Sequence, residues 1–293
     1  MTYSFIHEIE KQLPGSLLVR RKNEAHQSTI TVGDAVFGGA SPVIIAGPCS
    51  VENESQMMQA AEFVCKHGGQ LLRGGAYKPR TSPYDFQGLG EEGLALLQQA
   101  GKTFDLPVVS EVLTAGNVGL VSQYVDVLQI GSRNMQNTEL LKEVGKQDKP
   151  ILLKRGMSAT LKEFLLAAEY ILSGGNEKVI LCERGIRTFD TYSRNSLDIN
   201  VVPAIKLLSH LPIIVDPSHA TGHRELVEPL ALAGLAAGAH GIMVEVHPQP
   251  DDSVSDAAQT IGEKQFGNLM QKVTHYSKWL KTYENSVHSP QDK

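Results

Sequence analysis

Pro42-Val43-Ile44-Ile45-Ala46, the turn Gly47-Pro48-Cys49-Ser50, helical periodicity from Glu54 to His67, and a second apolar run Gln70-Leu71-Leu72-Arg73 together decide the fold. Neither apolar run alternates with polar residues. Strands of that kind are buried on both faces, as in a parallel sheet. Two such strands joined by a helix make a βαβ unit, the crossover that parallel pairing requires.

The same unit recurs downstream. A helix is expected from Gly90 to Thr103, then strand Leu106–Ser110 and helix Ala115–Gln123. Strand Val125–Ile130 precedes helix Asn137–Gly145, and strand Pro150–Lys154 precedes helix Leu161–Leu172. Strand Lys178–Cys182 leads through a polar loop to a helix near Ile199–Leu208. Strand Leu211–Val215 is followed by helix Arg224–Ala237, and strand Gly241–Glu245 by helix Ala257–Lys281. Eight β-then-α units predict an α/β protein with the (β/α)8 (TIM) barrel architecture. An open doubly wound sheet would usually have fewer strands and a Gly-x-Gly-x-x-Gly first turn, which Gly47-Pro48-Cys49-Ser50 is not. The barrel is assigned to residues 37–281. Upstream, residues 1–36 form a short extension, with a helix expected within Phe5–Leu13 and a hairpin over Thr29–Phe37 around Gly33-Asp34. Residues 282–293 are a polar tail, of which Glu284–Lys293 is expected to be disordered.

At 293 residues the chain is long enough for one such barrel with extensions. A net charge of −5 argues against a broad nucleic-acid surface but permits a local basic pocket. The chain contains no apolar run of transmembrane length, and its first ten residues lack the basic-then-apolar pattern of a signal peptide. The three scattered cysteines, Cys49, Cys65 and Cys182, suggest no disulfide framework and a reducing, cytoplasmic setting.

Chemistry in such barrels sits at the C-terminal ends of the strands. There the chain places Cys49; Arg73 with the loop Lys78-Pro79-Arg80-Thr81-Ser82; Glu111; Gln129 and Arg133; Lys154; Glu183 and Arg184; Asp216 and His219; Glu245 and His247. Two subsets stand out. Cys49, His219, Glu245 and Asp256 offer one sulfur, one nitrogen and two carboxylates, a set suited to a divalent transition ion such as Mn, Fe, Co or Zn. Each also has a plain structural reading. Cys49 could be a small buried residue, His219 a satisfied loop histidine, Glu245 an ion-pair partner, and Asp256 the N-cap of the last helix. The second subset is cationic: Arg73, Lys78, Arg80, Arg133, Lys154 and Arg184. Six cations at one rim of an acidic chain suit a multiply charged anion, although Arg184 could instead pair with Glu183. Gly74 and Gly75 would let the backbone approach a ligand closely. A metal beside anion sites would polarise a carbonyl while the cations hold phosphorylated substrates in line.

Ala46-Gly47-Pro48-Cys49-Ser50, Lys78-Pro79-Arg80-Thr81-Ser82, Gly131-Ser132-Arg133-Asn134, Leu153-Lys154-Arg155-Gly156, Cys182-Glu183-Arg184-Gly185, Asp216-Pro217-Ser218-His219 and Ser255-Asp256 resemble the motif set of type I 3-deoxy-D-arabino-heptulosonate 7-phosphate (DAHP) synthases. The compact I-beta branch is the best match, and the resemblance covers Val43 to Ile261. It implies a metal-dependent, aldol-type condensation of phosphoenolpyruvate with erythrose 4-phosphate and water, giving DAHP and phosphate, the first step of the shikimate pathway. It implies Cys49, His219, Glu245 and Asp256 as metal ligands. Arg73, Lys78, Arg133, Lys154 and Arg184 then contact phosphoenolpyruvate, and Ser132, His219 and Asp256 are further substrate contacts. The segment Lys78-Pro79-Arg80-Thr81 contacts the sugar phosphate, with Arg80 and Thr81 on its phosphate. Glu111 stands near the water that attacks C2, and Lys78 or metal-bound water protonates the nascent alkoxide.

Two other readings remain at this point. A 3-deoxy-octulosonate 8-phosphate synthase would take arabinose 5-phosphate, but that family usually carries Lys-Ala-Asn-Arg where this chain has Lys78-Pro79-Arg80-Thr81. A non-catalytic barrel that holds phosphorylated metabolites would have no evident reason to keep the whole metal quartet. The resemblance also implies a homotetramer or homodimer. The 36 residues ahead of the barrel are too few for an appended regulatory domain, so weak or no feedback through one is expected. Regulation by a separate chorismate mutase stays open.

Overall fold

The computed structural model describes residues 17–79 and 82–288; the helix expected within Phe5–Leu13 and the loop residues Arg80 and Thr81 lie outside them. Ile30–Val32 (β1) and Ala35–Phe37 (β2) form the expected hairpin, with Ile30 opposite Phe37 and Val32 opposite Ala35.

The barrel strands are Val43–Gly47 (β3), Leu71–Arg73 (β4), Val108–Glu111 (β5), Val127–Ile130 (β6), Ile151–Lys154 (β7), Val179–Glu183 (β8), Ile213–Val215 (β9) and Gly241–Glu245 (β10). They close in the order β10-β3-β4-β5-β6-β7-β8-β9, every pair parallel. Helices Glu54–Lys66 (α1), Glu91–Phe104 (α2), Val118–Tyr124 (α3), Thr138–Val144 (α4), Leu161–Ser173 (α5), Val201–Leu208 (α6), Pro217–Thr221 (α7), Arg224–Ala236 (α8) and Glu263–His288 (α9) alternate with them. Sequence signals explain several helix starts. The Asn53 side chain accepts from Gln56 N–H at α1. Thr160 and Glu163 form a capping box at α5.

Two apolar layers hold the barrel together. The outward faces of the strands pack against the helices, with Ile44, Leu72, Val108, Leu128, Leu153, Leu181, Val215 and Val244 among the residues buried there. The inward residues Ile45, Leu71, Val109, Val127, Leu152, Ile180, Ile214 and Met243 form a separate cluster. That cluster also contains Ile30, Val32, Ala35 and Phe37, so the hairpin plugs the N-terminal end of the barrel. Side chains alternate along a strand. The next inward position after Leu71, Val109, Val127, Leu152, Ile214 and Met243 is therefore Arg73, Glu111, Gln129, Lys154, Asp216 and Glu245. One layer up from an apolar plug, the barrel interior becomes charged.

Two differences from expectation are local. The last helix begins at Glu263, because Asp256 takes a left-handed backbone (φ 55°) and Ala257–Gln259 form a separate 3-10 turn. It then continues to His288, so residues 284–288, expected to be disordered, are helical. The five-residue α7 had no periodicity to betray it. Asp216 starts it by accepting from His219 N–H, with Pro217 in its first turn. Among the described residues, no helix is long and apolar enough to cross a membrane.

Candidate active site

At the C-terminal ends of the strands lies a cleft of about 160 Å³, open to solvent. Arg73, Lys78, Pro79, Glu111, Gln129, Ser132, Arg133, Lys154, Arg184, His219 and Asp256 all line it.

Cys49, His219, Glu245 and Asp256 converge from the loop after β3, α7, β10 and the loop after β10. One ligand atom from each lies within 4.8 Å of every other. Cys49 Sγ is 3.3 Å from Asp256 Oδ2, and His219 Nε2 is 3.1 Å from Glu245 Oε1. Around an ion bound at about 2.0–2.3 Å, donors stand about 3–4.5 Å apart, so this spacing fits a shared cation. The soft sulfur excludes a hard, all-oxygen preference. Glu245 does pair with Arg73 and His219 with Asp216, but the plain readings of Asp256 and Cys49 lose ground. Asp256 makes no side-chain capping bond, and the Cys49 thiol faces a carboxylate and an ammonium rather than apolar neighbours.

The charges around this centre are interlocked. Arg73 Nη1 donates to Glu245 Oε1 at 2.7 Å and to the Pro48 carbonyl at 3.1 Å. Lys78 Nζ reaches Cys49 Sγ at 3.0 Å and the Cys49 carbonyl at 2.8 Å. Lys154 Nζ lies 2.5 Å from Asp216 Oδ2, and that oxygen also accepts from His219 Nδ1 at 2.8 Å. Burial would depress the His219 imidazolium, but the Asp216 and Glu245 carboxylates outweigh it and lift the group to about 10. Burial would likewise raise Glu245; His219, Arg73 and Lys78 more than offset it and hold its carboxyl well below the usual range. With Nδ1 held by Asp216, Nε2 is the nitrogen aimed at the donor cluster.

The other half of the rim is less paired. Arg133 is exposed, and its Nη1 donates to the Pro79 carbonyl at 3.1 Å. Arg184 is buried, which lowers its guanidinium from the ordinary value against the pull of Asp216. Ser132 Oγ is buried without a hydrogen-bond partner, an orphan hydroxyl at the cleft wall. Glu111 Oε2 accepts from Gln129 Nε2 at 3.4 Å. A Cβ on Gly131 would stand 2.0 Å from Glu111 Oε1, so only glycine leaves that carboxylate its place.

Several sequence readings change. Glu183 does not pair with Arg184. It faces the other side of β8, where its Oε2 accepts from Arg155 Nη1 at 3.0 Å, and Arg155 also binds Asp198 at 2.8 Å. Residues 154 and 155 are adjacent but point oppositely, so Lys154 serves the cleft and Arg155 the wall behind it. Gly75 serves a neighbour rather than a ligand. A Cβ there would stand 2.5 Å from the Cys49 carbonyl and 3.0 Å from Lys78 Nζ, so its bareness makes room for Lys78. His247 accepts from Gln249 N–H and lies 3.5 Å from Glu52, outside the cleft. Arg194, Gln259, Asp85 and Met157 were not anticipated; all but Gln259 line the cleft.

The sequence profile of the DAHP synthetase I family matches residues 20–282. The chain belongs to the DAHP synthetase I family. A family relative from Thermotoga maritima, named phospho-2-dehydro-3-deoxyheptonate aldolase, is 50% identical over 92% of this chain and 79% of its own length. A solved structure of the T. maritima DAHP synthase superimposes with a TM-score of 0.89 at 47% identity, covering 95% of this chain and 84% of that one. A truncated form of the T. maritima synthase gives 0.84, with 90% and 97% covered. By contrast, a 2-dehydro-3-deoxyphosphooctonate aldolase from Geobacter sulfurreducens is 31% identical over 83% of this chain and 96% of its own. The eight-strand barrel and the DAHP synthase assignment, drawn from the motifs, both stand.

Proposed function

We propose that the rim cleft is where this DAHP synthase condenses phosphoenolpyruvate with erythrose 4-phosphate. The carrying observation is that the four-donor cluster meets the cleft through His219 and Asp256, and the cations Arg73, Lys78, Arg133, Lys154 and Arg184 line the same cleft. Cys49, His219, Glu245 and Asp256 would hold a divalent Mn, Fe, Co or Zn ion, which when bound polarises the sugar aldehyde as a Lewis acid.

Phosphoenolpyruvate carries a phosphate and a carboxylate. Arg133, Lys154, Arg184 and the Ser132 hydroxyl suit its phosphate side, and Arg73 and Lys78 its carboxylate side. Orphan Ser132 Oγ supports the reading, since a ligand oxygen would satisfy it. Held this way, C3 of phosphoenolpyruvate attacks the aldehyde carbon and C2 becomes electron-poor. Water adds at C2, and Glu111, which accepts from Gln129 Nε2, would take its proton. The C2–O bond then breaks and releases phosphate. Lys78, one of whose neighbours is Cys49, is the proton donor for the new alkoxide. Pro79 would face the sugar phosphate, with Arg133 holding its carbonyl, and the family resemblance extends that contact to Arg80 and Thr81.

The test is the acceptor. Incubating the enzyme and Mn²⁺ with phosphoenolpyruvate and either sugar phosphate, then weighing the product by mass spectrometry, should give a seven-carbon acid with erythrose 4-phosphate. An eight-carbon product formed preferentially from arabinose 5-phosphate would overturn the assignment of the Lys78–Thr81 loop.

A further inference from the structure

Arg194 does more than line the cleft. Its backbone N–H donates to the Thr221 carbonyl at 2.9 Å and that of Asn195 to the Ala220 carbonyl at 2.8 Å. Both carbonyls belong to α7, the helix that carries His219. Its side chain crosses to the loop after β10. There Nη1 donates to Asp256 Oδ1 and to Gln259 Oε1, each at 3.2 Å. Gln259 is 2% exposed, and its Nε2 donates at 2.5 Å to Glu245 Oε2.

These contacts assign every carboxylate oxygen of the pair. Asp256 Oδ2 faces Cys49 Sγ while Oδ1 is held by Arg194. Glu245 Oε1 faces His219 Nε2 while Oε2 is held by Gln259. The Gln259 amide cannot be reversed, because its oxygen would then face a carboxylate and its NH2 a guanidinium. Asp256 itself sits in the left-handed region, which costs a non-glycine residue about 1 kcal/mol or more. Gln259 N–H and Thr260 Oγ1 both bond its carbonyl, holding that backbone. Strain kept at a donor, with its free oxygen tied to a cation, is the arrangement of a preorganised ligand.

We infer that Arg194 and Gln259 form a positioning bridge that turns the Asp256 and Glu245 carboxylates toward a shared divalent cation and sets its affinity. This rests on the metal-site reading given above. Neither residue needs to touch substrate for this role.

Binding of Co²⁺ to metal-stripped protein tests it, read from the thiolate-to-cobalt absorption in the near ultraviolet rather than from turnover. Arg194→Met and Gln259→Leu should each weaken binding about 10- to 100-fold. The double variant should be little weaker than the poorer single, because either change breaks the same chain. Arg194→Lys should recover part of the loss. The unfolding midpoint of metal-free Arg194→Met should match that of the parent. Single variants that bind Co²⁺ within about twofold of the parent would overturn the inference. So would Arg194→Met that keeps its Co²⁺ affinity but raises the KM for the sugar phosphate, since Arg194 would then be a substrate contact. A parent protein that shows no Co²⁺ band at all would instead refute the metal site itself.

Discussion

The two ends of the barrel interior are one strand period apart and chemically opposite. At the N-terminal end, Leu71, Val109, Val127, Leu152, Ile214 and Met243 meet the hairpin residues Ile30, Val32, Ala35 and Phe37. Two residues on, each of these six strands delivers a charged or amide group instead. Two histidines near these ends, neither of them in the apolar interior cluster, differ as well. Near the start of β10, His240 loses charge to burial and to Lys206, and falls to about 4. At the other end His219 is lifted to about 10 by two carboxylates despite its burial. One layer contributes stability through apolar burial; the other packs like and unlike charges against the rim cleft. The molecule can afford the second because the first is complete.

Strand β7 offers the sharpest way to break this division. Leu152→Ala in the apolar layer should cost about 2–5 kcal/mol of stability while leaving kcat/KM within about twofold. Lys154→Met, two residues further, should lower kcat/KM about 10²- to 10³-fold and leave the unfolding midpoint nearly unchanged, because Asp216 keeps its bonds from His219 N–H and Nδ1. Denaturant melts and steady-state rates of both variants would expose any mixing of the two roles.

A smaller effect is expected within the charged layer. Arg133 is exposed and bonds only a carbonyl among the contacts described. Arg133→Ala should therefore raise the KM for phosphoenolpyruvate by about 10- to 100-fold, the loss of a charge-assisted bond of about 1.5–3 kcal/mol, with no change in melting. Gly131→Ala probes the same wall from behind. Its new Cβ would displace the Glu111 carboxylate, so kcat should fall with the KM values little moved, as steady-state kinetics would show.

The smallest effect concerns pH. The folded pKa of His240 is depressed below its unfolded value near 6.5. Its contribution is thus full above pH 6.5 and is lost as pH falls toward about 4. At pH 5 the loss should be about 1–2 kcal/mol. His240→Asn can still accept from the Ile213 N–H, and should flatten that part of the acid limb in stability-versus-pH measurements. An unchanged acid limb would remove the contrast between the two histidines.

Much of this was legible in the chain because barrel strands are short, continuous apolar runs and their C-terminal ends bear the polar groups. Cys49, His219, Glu245 and Asp256 could be collected from that rule and from the motifs. What was not legible depends on side-chain direction or on contacts between distant loops. Arg155 adjoins Lys154 and looks equivalent; only strand parity turns it to Glu183 and Asp198. Arg194 lies in a polar loop and is itself partly exposed, and its partners Asp256 and Gln259 come 62 and 65 residues later. No periodicity marks such a pair. The glycines beside Arg73 were recognised as close approaches, but what approaches at Gly75 is Lys78.

The most direct test is phosphate release from phosphoenolpyruvate and erythrose 4-phosphate after EDTA treatment, with and without Mn²⁺ restored, in the parent and in Cys49→Ala. The parent should fall silent with EDTA and recover with Mn²⁺, while Cys49→Ala stays folded and at least about 10³-fold slower in both conditions. Full turnover by Cys49→Ala, or by the parent in EDTA, would contradict the claim that the charged layer works through a metal held at these four residues.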